Sequence, residues 1–166
     1  DFESYDDFAI DNVGDWTLID VDLLPTYGYT AYDWPNIYQP IPFIVFNSTA
    51  TTPPIEPDGS QDWTAYSGVK AMTSIASVPD GTTNANNDWL ISPQITLGLS
   101  GNILSFWAKA TDPLYTVETF NVAVSVAGTD PNDFAIIAAG LEPSGIDWEE
   151  FTVNLDAFAG QDVNIA

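Results

Sequence analysis

The sequence predicts an all-β protein, a sandwich of short strands. Two observations carry this. Apolar or alternating runs of a few residues recur along the chain, each bounded by turn-forming Gly, Pro, Asn, Asp or Ser. Helical periodicity is weak and supports nothing longer than a single turn. At 166 residues the chain fits one domain, 1–166, with a sizeable core. Its 45% hydrophobic and 13% aromatic content exclude a disordered acidic tail, despite the charge described below.

Taken in order, Asp1-Phe2-Glu3 reads as an opening strand. Phe43-Ile44-Val45-Phe46 is a short apolar run, and 69–75 alternates in polarity. The stretch Asn86-Asn87-Asp88-Trp89-Leu90-Ile91-Ser92-Pro93 takes a polar, acidic turn into an apolar strand and stops it at Ser-Pro. Strands follow at 103–108, 120–126, 136–139, 150–154 and from 163 onwards. Trp89 and Trp107 fall inside these runs and are expected in the core; Trp16 and Trp148 have no clear place. Single helical turns are expected at 132–134 and 156–159. The last run, 161–166, opens a strand and stops, so the sequence predicts that the polypeptide continues or that a partner segment completes the sheet.

Residues 23–62 read differently. Pro25, Pro35, Pro40, Pro42, Pro53, Pro54 and Pro57 disfavour central strands, so a long, aromatic-rich loop insertion is expected here.

Charge narrows function. Asp and Glu number 24 against Lys70 and Lys109, and the formal net charge is −22. Such self-repulsion destabilises a compact state unless cations or salt relieve it. Nucleic acid is excluded as a partner, because phosphate binding requires Lys and Arg. The chain has no His and no Cys. That removes Ser-His and Cys-His nucleophile pairs, thiolate metal sites and disulfides. An oxygen-only site for Ca²⁺ remains open. No secretory leader is recognisable, and no apolar run approaches the length of about 18 residues that a membrane-spanning helix needs.

Two constellations stand out. Acidic residues crowd the N-terminal fifth, and Asp20-Val21-Asp22 would place two carboxylates on one side of an extended chain. Glu3, Asp20, Asp22 and Asp88 are the candidate metal ligands. By composition alone such residues read more readily as a solvated acidic surface. Tyr27, Tyr29, Tyr32, Trp34 and Tyr38, with Trp63 and Tyr66, form the candidate ligand-binding set. Flat rings beside Asp and Asn suit a sugar or a protein interface, and equally suit packing of a long loop. No catalytic residue is expected. Glu149-Glu150 are adjacent on a strand and point to opposite faces, so they cannot flank one glycosidic bond. The sequon Asn47-Ser48-Thr49 is read as a coincidence.

Several segments together resemble the cleaved-adhesin, or choice-of-anchor J, family of Bacteroidetes surface proteins, which includes gingipain haemagglutinin-adhesin domains. They are Asp1-Phe2-Glu3, Trp16-Thr17-Leu18-Ile19-Asp20-Val21-Asp22, Asn87-Asp88-Trp89-Leu90-Ile91-Ser92-Pro93, Leu104-Ser105-Phe106-Trp107-Ala108-Lys109, Phe120-Asn121-Val122-Ala123-Val124-Ser125 with Gly128-Thr129-Asp130-Pro131, and Trp148-Glu149-Glu150-Phe151 leading to the chain's end. The resemblance implies a two-sheet antiparallel β-sandwich of jelly-roll type. It implies structural Ca²⁺ near the N-terminal Glu and the Asp of the Asn-Asp-Trp-Leu turn, and export to the cell surface. It also implies service as an adhesion module of a larger polypeptide, binding a glycan or a host or other extracellular protein. The chain departs from the family pattern at Leu23-Leu24-Pro25-Thr26-Tyr27-Gly28, which stands in place of a Gly-rich Asp loop. The expected function is a secreted, Ca²⁺-stabilised binding module, not an enzyme. A carbohydrate-binding module of a secreted glycosidase and a structural spacer are the alternatives.

Overall fold

The computed structural model describes residues 2–82, 85–115 and 118–166. Among them are ten strands: β1 (Thr17–Asp20), β2 (Ile44–Phe46), β3 (Ala71–Thr73), β4 (Asp88–Ile91), β5 (Ile95–Thr96), β6 (Ile103–Ala108), β7 (Phe120–Ser125), β8 (Ala135–Leu141), β9 (Glu149–Asn154) and β10 (Asp162–Ile165). Helical structure among the described residues is limited to short 3-10 turns, two of them at Pro131–Asp133 and Asp156–Phe158 where single turns were expected. The fold is all-β. The expected N-terminal strand is absent, since residues 2–16 contain none. The chain divides into two compact units, one of Asp1–Pro57 with Trp63–Leu90, the other of Asp58–Asp62 with Ile91–Ala166.

In the first unit β1 neighbours β4 and β2 neighbours β3. The β2–β3 pair is antiparallel, with Val45 opposite Met72. The N-terminal segment lies along the other edge of β2, where Phe8 N donates to Val45 O and Val45 N to Ala9 O. Phe46 is the hub of the core. Its ring centroid lies 5.5 Å from Phe8, 5.4 Å from Trp34 and 4.9 Å from Trp63. Ile41, Ile44, Ile55 and Ile75 complete the cluster.

Residues 23–62 are therefore not a loop laid over a finished core; they contribute Trp34, Ile41, Ile44, Phe46 and Ile55 to it. Prolines lack the N–H that a ladder needs, so the segment is tied by isolated bridges, Pro25 with Pro40 and Asp33 with Thr52. Gly28 allows its close packing: a Cβ there would lie 2.6 Å from Ile37 Cγ1 and from Tyr38 Cε1.

The second unit shows the expected two-sheet sandwich. A four-stranded antiparallel sheet runs β5-β10-β7-β8, and β6 pairs with β9 in a second antiparallel sheet. Alternation sends Leu104 and Phe106 of β6 and Val153 of β9 into a core shared with Val122, Val124, Val163 and Ile165. Phe106 stacks on its cross-strand partner Phe151 at 5.6 Å, and Phe120 meets both rings edge-on. The terminal strand β10 is not an edge. Asp162 and Val163 pair with β5, and Asn164 and Ile165 pair with β7. Ser92 of the Ser-Pro stop anchors it, donating its N–H to Ile165 O and accepting Ile165 N at Oγ.

Replacing Phe46 by Ala is expected to destabilise the protein by about 3–5 kcal/mol, the range for deleting a buried aromatic ring. Ile103→Ala, at an exposed position, should change stability by no more than about 0.5 kcal/mol. Chemical denaturation of the two variants checks both.

Candidate metal centre and aromatic surface

Asp20 ends β1 and Asp88 begins β4, and the two strand ends meet where Val21 N donates to Asn87 O. The chain then turns on its own carboxylates. Asp20 Oδ1 accepts Leu23 N at 2.7 Å, and Asp22 Oδ1 accepts Leu24 N at 2.9 Å. Asp22 Oδ2 reaches across to Asn87 N at 2.6 Å. Asn86 fixes the facing loop, accepting Ser77 N and donating to Ile75 O. These bonds bring one carboxylate oxygen each from Asp20, Asp22 and Asp88 within 4.8 Å of one another. The strand pleat expected to align Asp20 and Asp22 is not the cause, because β1 has already ended; Asx-type turns do it instead.

Glu3 does not join this group. Its Oε1 accepts the N–H groups of Val69 and Lys70, against Gly68, whose φ of +70° and absent side chain admit the carboxylate.

Three half-buried carboxylates at this spacing repel one another. Burial first, then the neighbouring charges of Asp20 and Asp22, pushes the Asp88 carboxyl up to about 7. Asp20 Oδ2 is buried and has no hydrogen-bond partner among the described residues. A buried, unpaired carboxylate oxygen is costly, and a divalent cation would satisfy it and reverse the penalty on Asp88. The donor set is all oxygen, which suits Ca²⁺ or Mg²⁺ rather than a soft metal.

The aromatic candidates separate by burial. Trp34 is 4% exposed and Trp63 is 9% exposed, and both rings pack in the Phe46 cluster. They serve the core and present no face to a ligand. Tyr29 and Tyr32 are half-buried against the same cluster. Tyr27, Tyr38 and Tyr66 are exposed, as are Leu23 and Val69. Trp16 packs beside Phe2. Trp107, expected inside, is 40% exposed on the outer face of β6. Trp148 receives Lys109, whose Nζ lies 5.3 Å from the ring centroid. Asn47 of the sequon is buried, caps Thr49 N and donates to Asp7. That role explains its presence without glycosylation.

Fold and site define an antiparallel all-β protein with a carboxylate group at the junction of two strands. The chain belongs to the Cleaved Adhesin Domain family, whose sequence profile matches residues 54–145. It is 28% identical to Hemagglutinin A of Porphyromonas gingivalis (strain ATCC BAA-308 / W83) over 184 aligned residues, which include 99% of this chain but only 7% of that protein. A second Hemagglutinin A of P. gingivalis is 27% identical, with 6% of its length matched. The chain thus spans a small fraction of these curated relatives. Among solved structures, the K2 cleaved adhesin domain of Lys-gingipain superposes with a TM-score of 0.60 at 21% identity, covering 99% of this chain and 84% of that one. No helix among the described residues is long and apolar enough to cross a membrane.

The raised Asp88 pKa fixes the sign of a pH dependence. The folded state holds this proton more tightly than the unfolded chain, so its stabilising contribution is complete below pH of about 4 and is lost as pH rises through 7. In chelator, the melting temperature of the wild type should fall from pH 5 to pH 8 more steeply than that of Asp88→Asn. Parallel curves for the two proteins would show that Asp88 carries no such linkage.

Proposed function

We propose that this chain is a Ca²⁺-stabilised adhesin-type binding module of a larger secreted or surface-displayed polypeptide, recognising an extracellular protein or glycan. Family membership is the observation that most supports the binding role. The carboxylate group with its orphaned Asp20 Oδ2 supports the metal. Asp20, Asp22 and Asp88 would each give one oxygen, and peptide carbonyls and water would fill the six to eight positions Ca²⁺ takes. The ion would join the end of β1 to the start of β4. The exposed rings of Tyr27, Tyr38 and Tyr66 form the candidate working surface, and they favour a binding module over an inert spacer.

The metal is tested by thermal melts in chelator, in Ca²⁺, and in Mg²⁺ at equal ionic strength. A native-state ligand at 100 times its Kd adds about 2.7 kcal/mol. A Ca²⁺-specific rise that Asp20→Asn abolishes is the expected outcome. Equal responses to both cations would mean charge screening alone.

The working surface is tested on arrays of glycans and of extracellular proteins. Tyr27→Ala should weaken saturable binding without shifting the melting temperature, whereas Trp34→Ala should lower that temperature sharply, as a core residue does. Unchanged binding by Tyr27→Ala would remove this surface from the reading.

A further inference from the structure

The hydrogen-bond parity of the β6–β9 ladder decides which way the backbone of β9 points. Asn154 lies opposite Ile103, Thr152 opposite Ser105 and Glu150 opposite Trp107. One residue further on, Leu155 N donates to Asn102 O. Pairs along an antiparallel ladder alternate between bonded and non-bonded. The bonded set is therefore Glu149, Phe151, Val153 and Leu155. Glu150, Thr152 and Asn154 turn their N–H and C=O groups away from β6, and all three residues are exposed. Among the described residues no strand or bridge runs along that outer edge, and no backbone bond reaches those groups from elsewhere.

A free edge is a template for another strand, and folds blunt their edges by shortness, bulges, proline or charge. In the second unit β5 is two residues long, and β8 carries two register shifts. β6 is regular, but its Trp107 is already engaged within the chain. β9 has six residues in unbroken register, with no Pro or Gly. Phe151, Thr152 and Val153 are strong strand formers.

Charge is the one blunting device that β9 carries. Glu150 stands on the edge, its Oε1 accepting Ser105 Oγ at 2.5 Å. Exposed Asp147 precedes it and exposed Asp156 follows the strand. Such an edge repels acidic strands and attracts basic ones. A second copy would bring another formal charge of −22, which opposes self-pairing. With no Arg, and both lysines in ion pairs within the fold, the chain has no basic segment of its own to match the edge.

We propose that the outer edge of β9 receives an extended, basic segment of a partner protein as an added strand. Main-chain bonds to Glu150, Thr152 and Asn154 supply the pairing, and a lysine or arginine opposite Glu150 supplies the selection. These residues span about 13 Å, so about five extended residues of the partner suffice. The edge shares no residue with the Asp20, Asp22 and Asp88 group or with the Tyr27 surface, so either reading can fail without the other.

The test is residue-resolved amide exchange on the 166-residue chain at physiological ionic strength, with and without the peptide Lys-Thr-Val-Thr-Val-Thr-Lys. In the free chain Phe151 and Val153 should be protected, whereas Glu150, Thr152 and Asn154 should exchange fast. The peptide should slow these last three. Two control peptides should not: one with Glu in place of both lysines, and one with Pro in place of its three central residues, which cannot form a ladder. Glu150→Gln should weaken binding by about two- to five-fold. Asp133→Asn, an equal change of charge on the β7–β8 connection, should leave it unchanged. Thr152→Pro removes an outward N–H that β6 does not use, at the kind of edge position where proline is tolerated. It should abolish binding while Phe151 and Val153 stay protected.

Slow exchange at Glu150, Thr152 and Asn154 without peptide would mean that the edge is already covered, and the proposal would fall. Protection of these amides that grows with protein concentration would assign the edge to a second copy instead. No response to the peptide, or protection along β6 or β8 in its place, would also overturn it. So would equal binding of either control peptide, or equal loss in Asp133→Asn and Glu150→Gln, which is diffuse attraction to a polyanion.

Discussion

The shortage of cations is the constraint on which the rest of this structure depends. With 24 acids and two lysines, ion pairing cannot settle the carboxylates, and peptide N–H groups do so instead. Glu3 accepts Val69 N and Lys70 N, Asp58 accepts Ser60 N, Asp80 accepts Thr82 N, Asp112 accepts Leu114 N and Glu149 accepts Ser144 N. At Asp130 and Asp156 backbone donors, from Asn132 and Asn102, are the main cause of a carboxyl held below its usual range. Many of the acids are therefore parts of turns: each organises a loop while peptide dipoles neutralise it locally.

Asp88 is the contrast. Burial and two neighbouring acids push its carboxyl upward. The sites where donors meet the acids are stable as they stand. At Asp88 burial and the two neighbouring charges make the folded chain hold its proton more tightly, which distinguishes it from the acids that backbone donors settle.

The two lysines show the complementary side. Asp7 is held below its usual range by the Asn47 amide and by Lys70, against slight burial. Lys109 lies between Asp62 and Trp148, and it ties the Asp58–Asp62 segment to the second unit together with the Asp62 N to Thr111 O bond. A buried ammonium needs both partners. Because both lysines are held in ion pairs within the fold, the protein shows its surroundings an almost purely anionic surface.

Sequence alone determined the strand class, the positions of the strands in the second unit, the punctuation around them and the polyanionic character. Period-two alternation at 103–108 and 150–154 is local, so the strands themselves were legible, and with them that Phe106 and Trp107 face opposite sides. Alternation does not say which face of a strand is buried when both carry aromatics, and only tertiary packing turned Trp107 outward and left Phe106 in. The Pro-rich segment is largely the loop expected, but its share in the core was not legible: proline forbids ladders, not burial, so Trp34 could enter the core without the alternation that marks one. Asp20, Asp22 and Asp88 were legible as acids on converging segments. Their meeting, and the diversion of Glu3 to the peptide groups at 69–70, were decided by turns that close over more than sixty residues of chain. Local residue patterns fix local conformation, whereas which distant segments share one carboxylate depends on the folded chain as a whole.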